Sequence, residues 1–131
     1  MKRLLIILFS VMVAVGVSSV RGADTVTEQE VITPAMRERA ITVLRETMDR
    51  ETRWIKVHAA EYLLELSYPL GVKTAFEAEL AAYENQPQYR IGIWRVLARS
   101  ATTAEERQMW VDRIRAVVTD KASKDRVHAL E

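Results

Sequence analysis

Two histidines in this chain are followed by a glutamate at the same spacing, as His58 with Glu61 and as His128 with Glu131. On a helix this spacing puts both side chains on one face, where an imidazole and a carboxylate can share a metal ion. The simpler interpretation is that a duplicated segment duplicates every residue, with His58 in packing or hydrogen bonding and Glu61 in solvent. Because a whole structural repeat separates the two pairs, too far for one ion, we predict no cofactor and keep the four residues as weak metal candidates.

Aromatic side chains offer a different chemistry, because their large and stiff surfaces are enriched where proteins bind one another. Trp94 and Trp110 recur at helical spacing and are predicted to lie in the core. Trp54 and Tyr89 begin their helices, where a ring can serve the core and still remain partly exposed. We therefore keep Trp54 and Tyr89 as candidate contact residues for a partner.

Basic side chains form a ridge along one predicted helix, at Arg90, Arg95 and Arg99, and Lys56 lies on another helix. Such a ridge can meet an acidic partner, and the alternative is a solvated face that pairs with nearby glutamates. The candidate partner-binding residues are Trp54, Lys56, Tyr89, Arg90 and Arg95.

The residue types that carry nucleophilic catalysis are poorly represented. Cysteine is absent, neither histidine lies in an acid–base arrangement with a serine, and the sequence has no glycine-rich phosphate loop. Acidic residues are numerous, 18 in the whole chain, but those on the predicted helices are scattered over their surfaces. We predict that the protein is not an enzyme.

The candidate residues lie on predicted helices, because apolar residues recur at three- and four-residue spacing along the chain. Pro69 with Gly71, and later Pro87, interrupt this pattern and separate the segments. The capping box at Thr103 and Glu106 marks one helix start. The predicted helices span residues 34–49, 54–66, 72–84, 89–99, 104–119 and 125–131. No strand signal competes with them, so the predicted fold class is all-α.

The second of these helices organises the rest of the chain. Its predicted apolar stripe is Ile55, Ala59, Leu63 and Leu66, and the small residues Ala59 and Ala60 allow a neighbouring helix to approach closely. The segment 57–61 returns almost letter for letter at 127–131, 70 residues later. Two repeats of about 35 residues fit this distance, as in helical hairpin repeats. We therefore predict about two and a half stacked α-hairpins.

The second helix of each predicted hairpin resembles that of HEAT-like repeats, in which an apolar and a basic residue precede a small pair and then an apolar pair. The first repeat matches this pattern with Ile55-Lys56, Ala59-Ala60 and Tyr62-Leu63. In the second repeat Tyr89-Arg90 and Val96-Leu97 match, while Ile93-Trp94 replaces the small pair and requires different packing. In the third repeat the matching residues are Arg126, Val127, Ala129 and Leu130.

The resemblance covers residues 34–131 and implies a right-handed solenoid of helical hairpins. HEAT-like proteins generally act as binding scaffolds, so it also implies a protein or other macromolecule as partner, bound on the concave surface of the second helices. One hairpin cannot bury its apolar face alone, so neighbours must cover it. The short sixth helix lacks the length of a full cap, which favours a fragment of a longer array.

The first residues of the chain predict export. Lys2 and Arg3 precede an apolar run to Val17, and small residues lead to Gly22, which is the three-part pattern of a secretory signal peptide. The apolar run is shorter than the roughly 20 residues of a membrane-spanning helix, so we favour cleavage after Gly22 over an uncleaved membrane anchor. The predicted regions are a signal peptide at 1–22, an extended leader at 23–33 and a HEAT-like repeat domain at 34–131.

Loss of Lys2, Arg3 and Arg21 with the signal peptide changes the charge balance. It lowers the 19 basic residues to 16, against 18 acidic ones, so the mature chain lacks the positive charge that nucleic-acid binding requires. Cysteine is absent although export permits disulfides, so packing alone must hold the fold. We expect a periplasmic or extracellular protein that meets the membrane only through its signal peptide.

The predicted function is an exported HEAT-like scaffold that binds another macromolecule through a concave helical surface. Architecture alone does not fix function, and two alternatives remain open. One is a non-catalytic repeat segment of a larger exported enzyme or cytochrome. The other is a metal- or small-ligand-binding protein that uses the His-x-x-Glu pairs.

Overall fold

A computed structural model of the chain describes residues 32–130, which belong to one compact unit, Ile32–Glu131. The predicted signal peptide, residues 23–31 of the predicted leader, and Glu131 lie outside the described residues. Within residues 32–130 the chain is 78% helical and contains no strand. None of the helices in this region is long and apolar enough to cross a membrane.

Six helices follow one another, and the prediction of an all-α chain is confirmed for residues 32–130. Their bounds are α1 Pro34–Arg50, α2 Arg53–Glu65, α3 Val72–Tyr83, α4 Pro87–Ser100, α5 Ala104–Thr119 and α6 Arg126–Leu130. The predicted helix ends agree with these bounds to within two residues.

The helix starts follow local capping signals. Thr33 Oγ1 accepts a hydrogen bond from the backbone N–H of Met36 at 3.2 Å, and Thr103 Oγ1 accepts one from the N–H of Glu106 at 3.1 Å. In the predicted capping box, the Glu106 side chain bonds back to the cap residue, Thr103. In the structure Glu106 Oε2 instead accepts a hydrogen bond from the N–H of Thr102, one residue earlier, at 3.1 Å. Both caps satisfy backbone donors that a helix leaves unpaired at its start.

The helices pack as consecutive pairs and also along a row. α1 packs against α2, α3 against α4, and α5 against α6. α2 also contacts α4 and α3, and α4 contacts α6 and α5. The backbones of α1, α3 and α5 do not approach one another within residues 32–130, although Lys73 of α3 forms an ion pair with Glu106 of α5 at 2.6 Å. Helix α4 therefore lies at the centre, with neighbours on several sides.

Burial follows this central position. Helix α4 contributes eight buried residues, while α1 contributes only Ile41 and Met48, and α6 contributes none. Trp94 and Trp110 are both 7% exposed, so their predicted place in the core is confirmed. The core is apolar packing between α4 and the helices around it.

The buried face of α2 differs in part from the predicted stripe. Ala59, Ala60 and Leu63 are buried as expected, but Ile55 is 56% exposed. The side of α2 that meets α4 carries Val57 instead, and Ile55 lies about 160° from Val57 around the helix. The predicted apolar stripe was wrong at Ile55. The position of α4 decides which side of α2 is buried, and the spacing of the residues within α2 does not reveal that position.

Candidate functional site

Gly92 allows α2 to approach α4 closely. A Cβ atom at this position would lie 2.8 Å from Val57 Cγ2 and 3.1 Å from Trp54 Cζ3. Both distances are shorter than ordinary van der Waals contact, so any side chain at Gly92 would push α2 away. Gly92 thus supplies the small residue that the repeat pattern lacked at Ile93-Trp94. A lone glycine inside a helical pattern was the signal that could have found it.

Trp54 lies beside this contact and joins two histidines. The centroid of its ring is 5.2 Å from that of His128 in a stacked arrangement, and 6.0 Å from that of His58 in a tilted one. His58 lies on α2 and His128 on α6, so one indole is in contact with side chains of both helices. The sequence did not predict that these two histidines would lie near the same residue.

Glu61 is the centre of a polar group on α2 and α4. Its Oε2 lies 3.3 Å from His58 Nδ1, so the predicted pair does meet. However, Glu61 is only 7% exposed, and the prediction that it lies in solvent was wrong. Its Oε1 lies 2.8 Å from Arg95 and 3.9 Å from Arg99, and these cations compensate the buried charge.

Within residues 32–130 the structure offers no further ligands that would complete a metal site at His58 and Glu61. Among residues 32–130, no three His, Cys, Asp or Glu side chains come together as a possible metal site. The fourth metal candidate, Glu131, lies outside the described residues. The carboxylate of Glu61 faces guanidinium groups, which are poor neighbours for a cation.

Lys56 and Tyr89 meet the same carboxylate on α3. Lys56 Nζ lies 3.0 Å from Glu79 Oε1, and the Tyr89 hydroxyl donates a hydrogen bond to Glu79. Burial and this carboxylate raise the pKa of Tyr89 above its ordinary value of 10.0, while the backbone N–H of Arg53 lowers it slightly. Tyr89 is 3% exposed, so its ring lies in the core and offers little surface to a partner. The group ties α2, α3 and α4 together.

Arg90 ties α4 to the segment before α6. Its Nε donates to Asp125 Oδ2 at 2.9 Å, and the Asp125 side chain is 1% exposed. The hydroxyl of Ser123 donates to the same carboxylate. Burial alone would raise the pKa of Asp125, but the hydrogen bonds from Ser123 and Arg90 outweigh it and hold the pKa below the ordinary 3.8. Asp125 therefore stays ionised at neutral pH.

The candidate partner-binding residues are thus largely engaged within the chain. Lys56, Arg90 and Arg95 each face a carboxylate of another helix or of the segment before α6, with side chains 15%, 29% and 23% exposed. Tyr89 is buried, and Trp54 is half-buried beside an open surface. These contacts fix the second helices relative to one another.

An open cleft of about 450 Å³ lies beside Trp54. We name it the Trp54 cleft, and its lining includes Arg53, Trp54, Gln86, Gln88, Tyr89 and Lys124. Arg53, Gln88 and Lys124 are exposed and were not predicted as site residues. They come from three separate parts of the chain, so only the fold brings them together. The cleft offers two cations, amide groups and the edge of an indole.

Comparison with known proteins gives no further guidance, since no protein-family model, curated protein or solved structure matches this chain. The HEAT-like family suggested by the sequence therefore stays a prediction. What the protein does has to be inferred from the geometry of its helices and of the Trp54 cleft.

Proposed function

We propose that this protein is an exported HEAT-like repeat scaffold that binds a segment of another protein and performs no catalysis itself. The proposal takes α1–α2, α3–α4 and α5–α6 as three stacked hairpins, the last of them short. The observation that carries it is the row of second helices, in which α2 contacts α4 and α4 contacts α6. Hairpin repeats stack in this manner because each hairpin covers the apolar face of the next. Export is proposed from the pattern of residues 1–22.

The Trp54 cleft is the proposed binding surface. Arg53 and Lys124 are exposed cations on its rim, and half-buried Trp54 offers the edge of its indole for packing. An extended, acidic segment of a partner protein fits this chemistry, since carboxylates form charge-assisted hydrogen bonds with such cations. Aromatic anchors of this kind carry much of the energy in protein interfaces.

The polar contacts around the cleft support a preformed surface. The Lys56–Glu79–Tyr89 group fixes α2, α3 and α4, and the Arg90–Asp125 pair fixes the segment that carries Lys124. A surface that is already ordered loses less conformational freedom when a partner binds. The candidate residues Lys56, Tyr89 and Arg90 would then act by positioning the cleft.

Site-specific crosslinking tests this proposal in cells that express the full chain. A photoreactive residue in place of Gln88, in the cleft, is expected to capture a discrete partner protein. Lys124→Glu should lower the yield several-fold, because it opposes an acidic segment at the edge of the cleft. Lys121→Glu is the matched control, since Lys121 is exposed and does not line the cleft.

Two results would contradict the proposal. One is an equal response of the crosslink to Lys124→Glu and to Lys121→Glu. The other is the same set of crosslinks from a photoreactive residue at Glu77, which is exposed on α3 and does not line the cleft. Either would mean that the captured proteins meet the surface without using the cleft.

A further inference from the structure

The side of α1 that carries Met36 and Val43 has an apolar stripe that remains exposed. Met36 is 46% exposed and Val43 is 54% exposed, although α1 buries Ile41 and Met48 on another side. The stripe forms the floor of a shallow groove of about 520 Å³, which includes Ala40. Exposed apolar surface of this kind marks sites of protein association.

The stripe has the spacing of a coiled-coil seam. Its positions alternate at four- and three-residue steps, as Met36, Ala40, Val43, Thr47 and Arg50. This alternation is the a and d pattern of a heptad repeat, which keeps one seam facing a partner helix. Ala40 is small enough to let a second helix approach closely. The natural occupant of such a seam is another helix.

Charges beside the stripe favour a second copy of the same helix. Arg39 and Glu46 both precede a seam residue and are one heptad apart, so they lie on the same flank of α1. If two copies of α1 pair antiparallel about a point near Val43, Arg39 of each copy faces Glu46 of the other. A parallel pair would place this flank opposite Leu44 and lose both ion pairs. The charge pattern therefore selects the antiparallel arrangement.

We propose that the protein forms a symmetric dimer through antiparallel pairing of α1 on α1. Ile55 and Tyr62 lie about 160° and 140° from Val57 around α2, on the side away from α4, and are 56% and 57% exposed. They add further exposed apolar surface on α2, the helix against which α1 packs. A twofold dimer buries the same patch on both copies and closes the assembly.

The dimer adds to the proposed function and does not depend on it. The Trp54 cleft receives no lining residue from α1, so a dimer through α1 leaves both clefts open. Two clefts on one particle bind a partner that carries two acidic segments more tightly than one cleft does, because the second binding event becomes intramolecular. The α1 surface thus determines how many clefts act together.

Sedimentation equilibrium of residues 23–131 tests the dimer. This segment contains the whole compact unit Ile32–Glu131 and all of its buried cluster, and circular dichroism checks that each variant is helical. The wild-type chain should sediment as a dimer, and Val43→Arg should give a monomer with unchanged helicity, since Val43 is exposed. Arg107→Glu, on the exposed surface of α5, should leave the dimer intact.

Charge reversal separates this arrangement from nonspecific association. Arg39→Glu and Glu46→Arg should each weaken the dimer about tenfold or more, because each creates two repulsive contacts. Mixed together, the two variants should form a heterodimer, in which both contacts become attractive again. The double variant Arg39→Glu with Glu46→Arg should also dimerise.

Several outcomes would overturn the proposal. A wild-type chain that stays monomeric at every soluble concentration would do so, and so would a dimer that Val43→Arg does not affect. Failure of the mixed variants to recover would exclude the antiparallel pairing. If residues 32–131 dimerise while residues 23–131 do not, the chain's own residues 23–31 occupy the stripe, and the proposed occupant is wrong.

Discussion

Helices α4 and α6 are held in place by different kinds of contact. α4 buries eight residues among its neighbours, including Ile93 and Leu97 with no exposed surface. The five-residue helix α6 buries none, and its Val127 and Leu130 are each 69% exposed. The contacts that hold α6 include the buried Asp125–Arg90 ion pair and the stack of His128 on Trp54. The two helices therefore differ in how much apolar packing holds them.

Within residues 32–130, α4 packs against α2, α3, α5 and α6, whereas α6 packs against α4 and α5. Helix α4 therefore gains its stability from apolar packing. Helix α6 is too short for extensive packing, so few contacts hold it, including the Asp125–Arg90 ion pair before it, the stack of His128 on Trp54 and the packing of Ala129 on the core. Helix α1 is intermediate, because it buries two residues and leaves an apolar stripe exposed. Each prediction below tests one part of this contrast.

The largest effect is expected from truncation in the centre. Ile93→Ala should lower the free energy of unfolding by about 2–5 kcal/mol, because it removes a fully buried side chain from packed surroundings. Leu130→Ala, on exposed α6, should change it by less than about 0.5 kcal/mol. Urea unfolding followed by circular dichroism compares the two. Similar losses for both variants would contradict the contrast between α4 and α6.

Removal of the buried ion pair should act on α6 alone. Asp125→Asn is expected to weaken the attachment of α6 by about 1.5–3 kcal/mol, the range for hydrogen bonds to charged groups. Asp112→Asn is the matched control, because Asp112 pairs with Arg115 on the surface, with side chains 55% and 64% exposed. Hydrogen exchange of the α6 amides should quicken in the first variant and not in the second.

The same ion pair predicts a dependence on pH. The pKa of Asp125 is held below 3.8 in the folded chain, so its contribution to stability is present above that pH. It is lost as the pH falls through the lower folded value, because the folded state then takes up the proton. Exchange of the α6 amides in wild type should approach that of Asp125→Asn only at such acid pH. An equal difference between the two proteins at all pH values would contradict this account.

A smaller effect is expected at the contact between α2 and α4. Gly92→Ala should cost about 1–2 kcal/mol net, because the added methyl group meets Val57 and Trp54 while alanine favours the helix. The double variant with Val57→Ala should lose less stability than the two single variants together, since the truncated side chain makes room. Strict additivity would mean that Gly92 is not needed for close packing.

Much of the helical arrangement could be predicted because its signals are local. Thr33 and Thr103 cap the helices that follow them, and Pro87 lies at a helix start. Such features depend on a few neighbouring residues, so the helix ends agree closely with the prediction. The burial of Trp94 and Trp110 follows equally from spacing along one helix.

The candidate site could be predicted only in part, because its contacts join distant residues. The spacing of the arginines on α4 predicts that Arg90 belongs to a basic ridge. Its partner Asp125 lies 35 positions away along the chain, so the spacing within α4 does not reveal this ion pair. The exposure of Ile55 and the burial of Glu61 depend in the same way on where α4 lies beside α2. Periodicity gives the faces of a helix, but it does not say which face a later helix covers.

Hydrogen exchange along the whole chain tests the central claim most directly, namely that extensive apolar packing stabilises α4 whereas a few separate contacts stabilise α6. The Val43→Arg variant suits this measurement, because self-association through α1 cannot then protect amides. We expect the amides of α4 to exchange slowest, near the rate of global unfolding, and those of α6 to exchange first. Protection of α6 equal to that of α4 would contradict the account, since it would mean that α6 unfolds only together with the core.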